Sequence, residues 1–140
     1  KVENCMTRRE LRENVFKMLF RVEFHETEAL PEQLQLFVEE LEASYEKTDK
    51  KDWDYLTGKY QDICAHIPEL DAAINEKASG WKTTRMAKVD LAIIRLAVYE
   101  IQFEEDIPTA VSINEAVELA KKYGTDDSAS FVNGILAKFA

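Results

Sequence analysis

Apolar residues recur every three or four positions along most of the chain, which is the spacing of one buried face of an α-helix. The clearest stripe consists of Trp53, Leu56, Tyr60, Ile63 and Ile67. Only four glycines and three prolines interrupt segments that are rich in leucine, alanine, glutamate and lysine. These features predict an all-α fold of about seven helices joined by short connections.

Short motifs predict where several helices begin. Thr7 and Glu10 have the S/T-x-x-E spacing of a capping box, and Ser112 and Glu115 repeat that spacing. Asp90 precedes a long apolar run, and an aspartate in that position is a common helix cap. We therefore expect helices to start next to Thr7, Asp90 and Ser112.

One segment is apolar on nearly every helical face. It spans residues 86–103 and reads MAKVDLAIIRLAVYEIQF. A helix that is apolar all round is usually buried, so this segment is predicted to form the centre of the fold. A chain of 140 residues is long enough to bury such a core. We expect a single domain of two small packed bundles, about 7–79 and 80–140, with the boundary near Gly80.

Charged residues are distributed unevenly. The chain has 18 lysines and arginines against 27 aspartates and glutamates, a formal net charge of −9. This balance argues against broad, non-specific binding to nucleic acid. Residues 1–25 nevertheless carry six cations against four anions, and residues 81–100 carry four against two. Any basic patch is therefore expected to be local.

Common motifs of catalytic and metal sites are missing from the sequence, including the P-loop, G-x-S-x-G and H-E-x-x-H. His25 and His66 are far apart, and Cys5 and Cys64 do not form a C-x-x-C pair. Two isolated cysteines favour reduced thiols in a cytoplasmic protein. No apolar run reaches the length of a membrane span. We expect a cytoplasmic binding protein with no catalytic residue, metal or cofactor.

Three arginines lie close together at the start of the first predicted helix. Arg8 and Arg9 would occupy its first turn, where the helix dipole disfavours each cation by roughly 0.3–1 kcal/mol. The same turn suits a phosphate, because it offers free backbone N–H groups beside guanidinium groups. Arg12 shares a face with Arg8. The residues alone leave two interpretations open: a phosphate site, or an exposed face on which Arg9, Glu13 and Lys17 form ion pairs.

A second unusual stretch, INEAVELAKKYGTDDSASFVNGIL, spans residues 113–136. Gly134 falls inside a predicted helix, where glycine costs about 1 kcal/mol relative to alanine. It indicates either close packing against the central helix or room for the backbone of a ligand. Phe131 is either a core residue or a platform on which an unpaired base stacks.

Several motifs together resemble one known family. The segment VSINEAVELAKKYG followed by SFVNGIL, the central KVDLAIIRLAVYEI and the N-terminal RRELRE are similar to motifs of the NusB family of bacterial transcription antitermination factors. The resemblance extends from Thr7 to Ala140. It implies two small helical bundles that bind boxA, a single-stranded RNA element of ribosomal RNA transcripts, without catalysis. It also implies assembly with NusE, a small-subunit ribosomal protein, and with the RNA polymerase antitermination complex.

The resemblance also assigns roles to residues by position. The residues that match the family's RNA-binding positions are Arg8, Arg9, Arg12, Lys121, Phe131 and Asn133. The arginines would hold phosphates, and the other three would lie near the RNA-facing edge. Phe20 and Glu100 match positions on the face that contacts the protein partner.

Two departures from the family pattern affect these roles. Phenylalanine at position 20 replaces the usual tyrosine, so a hydroxyl contact is lost. Glu10 and Glu13 lie among the arginines and should weaken non-specific RNA affinity. We therefore expect tight RNA binding to need the ribosomal partner.

Two other functions stay open at this point. NusB-like domains also precede ribosomal-RNA cytosine methyltransferases, and a gene that continued past Ala140 into a cofactor-binding fold would favour that function. The third interpretation is a structural helical scaffold, such as a homodimer that hides its RNA-binding face. The sequence leaves the oligomeric state open.

Overall fold

A computed structural model describes residues 5–24 and 27–140 of the chain. The secondary structure in this part of the chain is helical and includes two single turns of 3₁₀ helix, Thr27–Ala29 and Thr83–Arg85. The α-helices are α1 (Arg8–Val22), α2 (Leu30–Ser44), α3 (Lys50–Ala65), α4 (Ile67–Lys77), α5 (Lys88–Phe103), α6 (Thr109–Tyr123) and α7 (Ser128–Ala137). The prediction of an all-α fold with about seven helices is confirmed.

The first compact unit ends at Asp62 and contains α1, α2 and most of α3. Its helices bury the stripes that the apolar spacing predicts. The buried residues of α1 include Leu11, Val15 and Met18, and α2 buries Phe37. Complete burial of such a side chain contributes about 1.5–3 kcal/mol, so the apolar face of α1 is a major source of stability for this unit.

The second compact unit spans Ile63–Ala140 and is built around α5. Every residue from Asp90 to Glu100 is buried. Helices α4, α6 and α7 pack against α5, so its sides are covered within the unit. The prediction of a buried centre is confirmed for residues 90–100 of the segment 86–103, whereas Ala87, Lys88, Gln102 and Phe103 at its ends are exposed.

Helix α4 lies in the same unit as α5. Arg95 donates from Nε to Oδ1 of Asp71 at 2.9 Å and from Nη2 to Oδ2 at 2.7 Å, and this bidentate pair joins the two helices. The turn at Gly80, which has a φ of +80°, therefore lies inside the second unit rather than at its edge. That the whole chain acts as a single domain stays a prediction.

Helix α5 begins earlier than predicted. Its first residue is Lys88, and the N-cap position is Ala87, which has no side chain able to cap. Asp90 consequently lies within the first turn, where its negative charge interacts favourably with the helix dipole. The prediction that Asp90 caps the helix is wrong, because the backbone changes from extended geometry at Met86 and Ala87 to helical geometry at Lys88, two residues before Asp90.

The predicted capping box at Ser112 is also wrong. Helix α6 begins at Thr109, after Pro108, whose ring fixes a φ of −59° that is compatible with a helix start. Ser112 is therefore inside the helix and buried, and its hydroxyl donates to Oε1 of Glu100 at 2.7 Å. The S-x-x-E spacing is real, but the serine pairs with α5 instead of with its own backbone.

Gly134 lies in open space. A Cβ built on this residue meets no atom within 4 Å. Close packing against the central helix, one of the two explanations for a glycine here, is therefore wrong. Gly124 is the opposite case, because a Cβ there would overlap the side chain of Ser128 and lie 2.8 Å from the carbonyl oxygen of Ala120.

The substitutions Gly124→Ala and Gly134→Ala are expected to change stability in opposite directions. The crowded Cβ at position 124 should lower the free energy of unfolding by about 1–2 kcal/mol. The open Cβ at position 134 should raise it by about 0.5–1 kcal/mol, because alanine is the better helix former. Urea denaturation followed by circular dichroism measures both. A loss of stability in Gly134→Ala would contradict the open surroundings of that residue.

Candidate nucleic-acid interface

The first helix starts where its capping box predicts. Thr7 is the N-cap, and its hydroxyl accepts the backbone N–H of Glu10 at 3.1 Å. In return, Oε1 of Glu10 accepts the backbone N–H of Thr7 at 2.9 Å. Arg8 and Arg9 follow as the first two helical residues. The capping box is confirmed, and the two arginines lie in the turn with the positive end of the dipole.

The arginine side chains of this turn are accessible. Arg8 and Arg9 are exposed, and Arg12 is half-buried one turn later on the same face as Arg8. The N–H of Thr7 and the N–H of Glu10 are used by the capping box. Neither the backbone N–H nor the side chain of Arg8 is bonded to another described residue. A guanidinium group and an N–H group are therefore available together at the start of α1.

Two hydrogen bonds occupy the carboxylate of Glu10, which lies among the arginines. Its Oε1 closes the capping box, and its Oε2 accepts the hydroxyl of Tyr45, which follows α2, at 3.1 Å. Both oxygens are therefore engaged in holding the start of α1 to the end of α2. This structural use fixes the Glu10 carboxylate at the start of α1, where its negative charge still acts against an anionic ligand.

An aromatic row runs along α1 towards its C-terminus. The Phe16 and Phe20 rings are 6.2 Å apart and stacked, and Phe24 meets Phe20 edge-on at 5.1 Å. Phe20 is half-buried, and Phe24 is 59% exposed. Arg21 lies over the ring of Phe37 at 4.8 Å. The predicted partner residue Phe20 thus belongs to a row of rings that reaches solvent.

The predicted residues of the second unit lie on α6 and α7. Phe131 is half-buried, because Val132, Ile135 and Leu136 form the inner face of α7 and leave it at the edge. Asn133 is exposed. Lys121 is exposed on α6, with its Nζ 3.4 Å from Oε2 of Glu118.

A compact turn sets the position of α7. Helix α6 ends at Gly124, and the N–H of Thr125 donates to Oγ of Ser128 at 3.0 Å. This serine is the residue that a side chain at position 124 would displace. Asp127 occupies the N-cap position but makes no capping hydrogen bond. The glycine therefore lets α7 begin close to α6 and places Phe131 one turn later.

Glu100, the other predicted partner residue, is buried within the second unit. It is 1% exposed and accepts the hydroxyl of Ser112 within the second unit. A direct contact between its carboxylate and a protein partner is incompatible with this burial. Helix α5 turns this residue inwards against α6, and its assignment to the partner face stays a prediction.

The remaining reactive side chains form no metal or thiol site. His66 packs on the ring of Phe103 at 4.8 Å, whereas His25 lies outside the described residues. Cys5 and Cys64 form no disulfide, and the Cys5 thiol donates to the carbonyl oxygen of Lys47 at 3.0 Å. Within residues 5–24 and 27–140, no cluster of three histidines, cysteines or carboxylates could hold a metal ion. No helix in those two ranges has both the length and the apolar character needed to cross a bilayer.

Sequence reasoning missed Trp81. Its ring meets the ring of Phe131 edge-on at 5.2 Å and is 49% exposed. The available signal was a tryptophan directly after the turn at Gly80 and before a cationic stretch, in a segment with no regular apolar spacing. The second unit therefore presents two aromatic rings where one was predicted.

Known proteins resemble this chain over nearly its full length. Residues 9–140 match the model of the NusB family. The transcription antitermination protein NusB of Agathobacter rectalis is 65% identical over 135 residues, which cover 96% of this chain and 100% of that protein. The protein of the same name from Lachnoclostridium phytofermentans is 51% identical over 133 residues, covering 95% and 98%.

Solved structures agree with these relatives. NusB of T. maritima superposes with a TM-score of 0.85 at 38% identity, covering 96% of this chain and 91% of that one. A crystal structure of antitermination factors NusB and NusE with double-stranded RNA superposes with a TM-score of 0.76 at 25% identity, covering 94% of each chain. Both relatives are named as transcription antitermination proteins, in agreement with the family that the sequence motifs resemble. The chain therefore belongs to the NusB family of transcription antitermination proteins.

Proposed function

We propose that this protein binds boxA-type single-stranded RNA in ribosomal RNA transcripts together with the ribosomal protein NusE, and so joins the RNA polymerase antitermination complex. Family membership supports the role in antitermination. The similar structure that contains NusB, NusE and double-stranded RNA supports RNA and NusE as partners, whereas the choice of single-stranded boxA-type RNA rests on the sequence resemblance. In this proposal the protein is a non-enzymatic adaptor between RNA and protein.

The observation that carries the proposal is the accessible arginine turn of α1. Cations in a first helical turn are unfavourable for the helix itself. An RNA phosphate removes that cost, because it accepts hydrogen bonds from the N–H groups and from the guanidinium groups of Arg8 and Arg9. Arg12 would extend the contact along the same face. The capping box operates at the same time, since it uses other N–H groups.

The second unit contributes an aromatic and polar edge. Phe131 offers a half-buried ring on which a base stacks, and exposed Asn133 offers an amide for a base or sugar. The open space at Gly134 leaves room for the RNA backbone beside them. Lys121 is a weaker candidate for RNA binding, because the neighbouring carboxylate of Glu118 partly neutralises its positive charge.

NusE would contact the first unit at the aromatic row of α1. Phe20 stacks on Phe16 and continues to exposed Phe24, so a partner can bury apolar surface there without moving the helix. Glu100 would affect NusE binding only indirectly, by fixing α6 through Ser112.

A mobility-shift titration tests the proposal. The full chain is titrated on a boxA-type RNA and on a scrambled RNA of the same composition, each with and without NusE. We expect the scrambled RNA to bind about tenfold more weakly, because base contacts rather than phosphates carry the preference. We also expect NusE to tighten only the boxA complex.

Two results would contradict the proposal. Equal affinity for the two RNAs would indicate a non-specific polycation effect. A stable homodimer in light scattering that RNA neither dissociates nor binds would support the scaffold function instead.

A further inference from the structure

The connection between α2 and α3 holds the chain where it enters α1. The hydroxyl of Thr48 accepts the backbone N–H of Met6 at 3.0 Å, although 42 positions separate the two residues. Both residues are buried, Thr48 with 8% and Met6 with 6% of its surface exposed. Arg8 follows shortly after Met6 in the same compact unit. This hydrogen bond therefore fixes the backbone directly before the arginines.

Two further contacts anchor the segment before α1. The side-chain amide of Asn14, which is buried on α1, donates to the sulfur of Met6 at 3.3 Å. The thiol of Cys5 donates to the carbonyl oxygen of Lys47 at 3.0 Å. The segment is thereby bonded both to the helix that it enters and to the connection between α2 and α3.

Tyr45, directly after α2, holds the first turn of α1 itself. Its hydroxyl donates to Oε2 of Glu10 at 3.1 Å, while Oε1 of Glu10 closes the capping box. Glu10 follows Arg8 and Arg9 directly in sequence. A carboxylate oxygen that loses such a donor becomes available to a neighbouring guanidinium group and competes with a phosphate for it. The hydroxyl of Tyr45 therefore keeps the carboxylate in one orientation.

The first turn of α1 needs this support because it is intrinsically weak. The N–H groups of a first turn have no partners within the helix, and helix ends fray. Arg8 and Arg9 weaken the turn further, since their charge opposes the helix dipole. A frayed turn presents its guanidinium groups in many orientations, and ordering them on binding reduces affinity. Contacts from another part of the chain prevent that loss.

We infer that Tyr45 and Thr48 are positioning residues of the RNA site, which hold the arginine turn, residues 8–12, in its binding conformation before RNA arrives. The inference rests on the proposed RNA-binding function and adds to it how the site is kept ordered. The two hydroxyl groups act through the start of α1 and do not contact RNA. Their removal should therefore lower affinity without changing the number of phosphate contacts, which sets the salt dependence.

Two conservative substitutions test this separation of affinity from salt dependence. Tyr45→Phe and Thr48→Val each remove one hydroxyl and keep the shape of the side chain. In mobility-shift titrations on boxA-type RNA with NusE, each variant should bind about fivefold more weakly than the unsubstituted chain. The slope of log K against log salt should change by less than about 0.35, half the value expected for one lost phosphate contact. Thr48→Ser keeps the hydroxyl and should restore the affinity to within about twofold.

A matched control removes a threonine hydroxyl elsewhere in the first unit. The hydroxyl of Thr57 donates to the carbonyl oxygen of Trp53 within α3 at 3.1 Å. Thr57→Val should change neither the affinity nor the salt slope. Hydrogen exchange of the free protein measures the order of the segment directly. In Thr48→Val, the amides of Met6 and Thr7 should exchange about tenfold faster than in Thr57→Val.

A double-mutant cycle shows whether Tyr45 acts through Glu10. Glu10→Gln keeps an acceptor for the capping box and removes the negative charge. Because no carboxylate then competes for the guanidinium groups, Tyr45→Phe should weaken RNA binding by less than about twofold in that background. An undiminished effect there would assign the hydroxyl to a direct RNA contact and overturn the positioning role of Tyr45.

The outcomes distinguish the inference from the function on which it rests. Full affinity in both Tyr45→Phe and Thr48→Val, with normal boxA binding by the unsubstituted chain, would overturn the positioning role alone. Failure of the unsubstituted chain to bind boxA-type RNA, with or without NusE, would overturn both. Where Thr48→Val fails to fold, Tyr45→Phe still decides, because it keeps the ring of a residue that is only half-buried.

Discussion

The triple substitution Arg8→Ala, Arg9→Ala and Arg12→Ala is expected to weaken binding to boxA-type RNA about 50-fold near 150 mM salt. Each phosphate contact to a single strand contributes about 0.7 to the slope of log K against log salt, so the slope should flatten by about 2. Titrations at several salt concentrations, with NusE present, measure both quantities. The circular dichroism spectrum should stay helical, because the capping box uses Thr7 and Glu10.

A charge-matched control shows whether the weaker RNA binding comes from the position of the lost cations or from the change in net charge. Lys47→Ala, Lys50→Ala and Lys51→Ala together also remove three exposed cations from the first unit. This variant should change the salt slope by less than about 0.7, the amount expected for one lost phosphate contact. An unchanged slope in the arginine variant would remove the start of α1 from the RNA interface.

The substitution Arg95→Ala is expected to lower the free energy of unfolding by about 3–5 kcal/mol. Arg95 has a side chain only 9% exposed and makes two short hydrogen bonds to Asp71, whose side chain is 22% exposed. Truncation leaves that carboxylate poorly solvated and opens a gap between α4 and α5. Urea denaturation of the whole chain, followed by circular dichroism, measures the loss.

A surface ion pair supplies the comparison. Lys50 and Asp54 are 2.8 Å apart, with side chains 88% and 66% exposed. The hydrogen bond that Lys50 donates to the Asp54 carboxylate raises the pKa of Lys50, but solvent screens the pair. Lys50→Ala should therefore cost less than about 1 kcal/mol. If Arg95→Ala lowered the free energy of unfolding no more than Lys50→Ala, the ion pair of Arg95 and Asp71 would not be what holds α4 to α5.

The features that sequence reasoning predicted correctly are set by neighbouring residues. The capping box of Thr7 and Glu10 closes over three residues, and the apolar spacing of α1 and α3 repeats within each helix. The all-round apolar character of α5 likewise needs no knowledge of its partners to indicate burial. Helix existence and the buried centre were therefore readable from the chain itself.

The features that were predicted wrongly depend on contacts between segments. Ser112 has the local spacing of a cap, yet Glu100 lies opposite it on α5 and takes its hydroxyl. Asp90 and Gly134 were likewise assigned from their position in a helix, whereas their surroundings are a cavity wall and open space. Propensity gives a residue's local options, and tertiary packing selects among them.

The candidate site was predictable only in part for the same reason. The arginines stand out in sequence because they oppose the helix dipole, and they are accessible as expected. The local signal of Trp81, its place directly after the turn at Gly80, does not indicate a role, because its significance comes from Phe131, fifty positions later, lying against it. Glu100 matched a family position, but a sequence match carries no information about which way the side chain faces.

The enclosure of α5 has a consequence for how such a protein diverges. Every residue between Asp90 and Glu100 is buried, so a change in side-chain volume there disturbs the close packing and few replacements are tolerated. Variation among descendants is left to the outward positions of α6 and α7 and to the short lead-in at residues 81–88. Ligand preference can therefore change during evolution through these outward residues, while the buried interior that supports them stays the same.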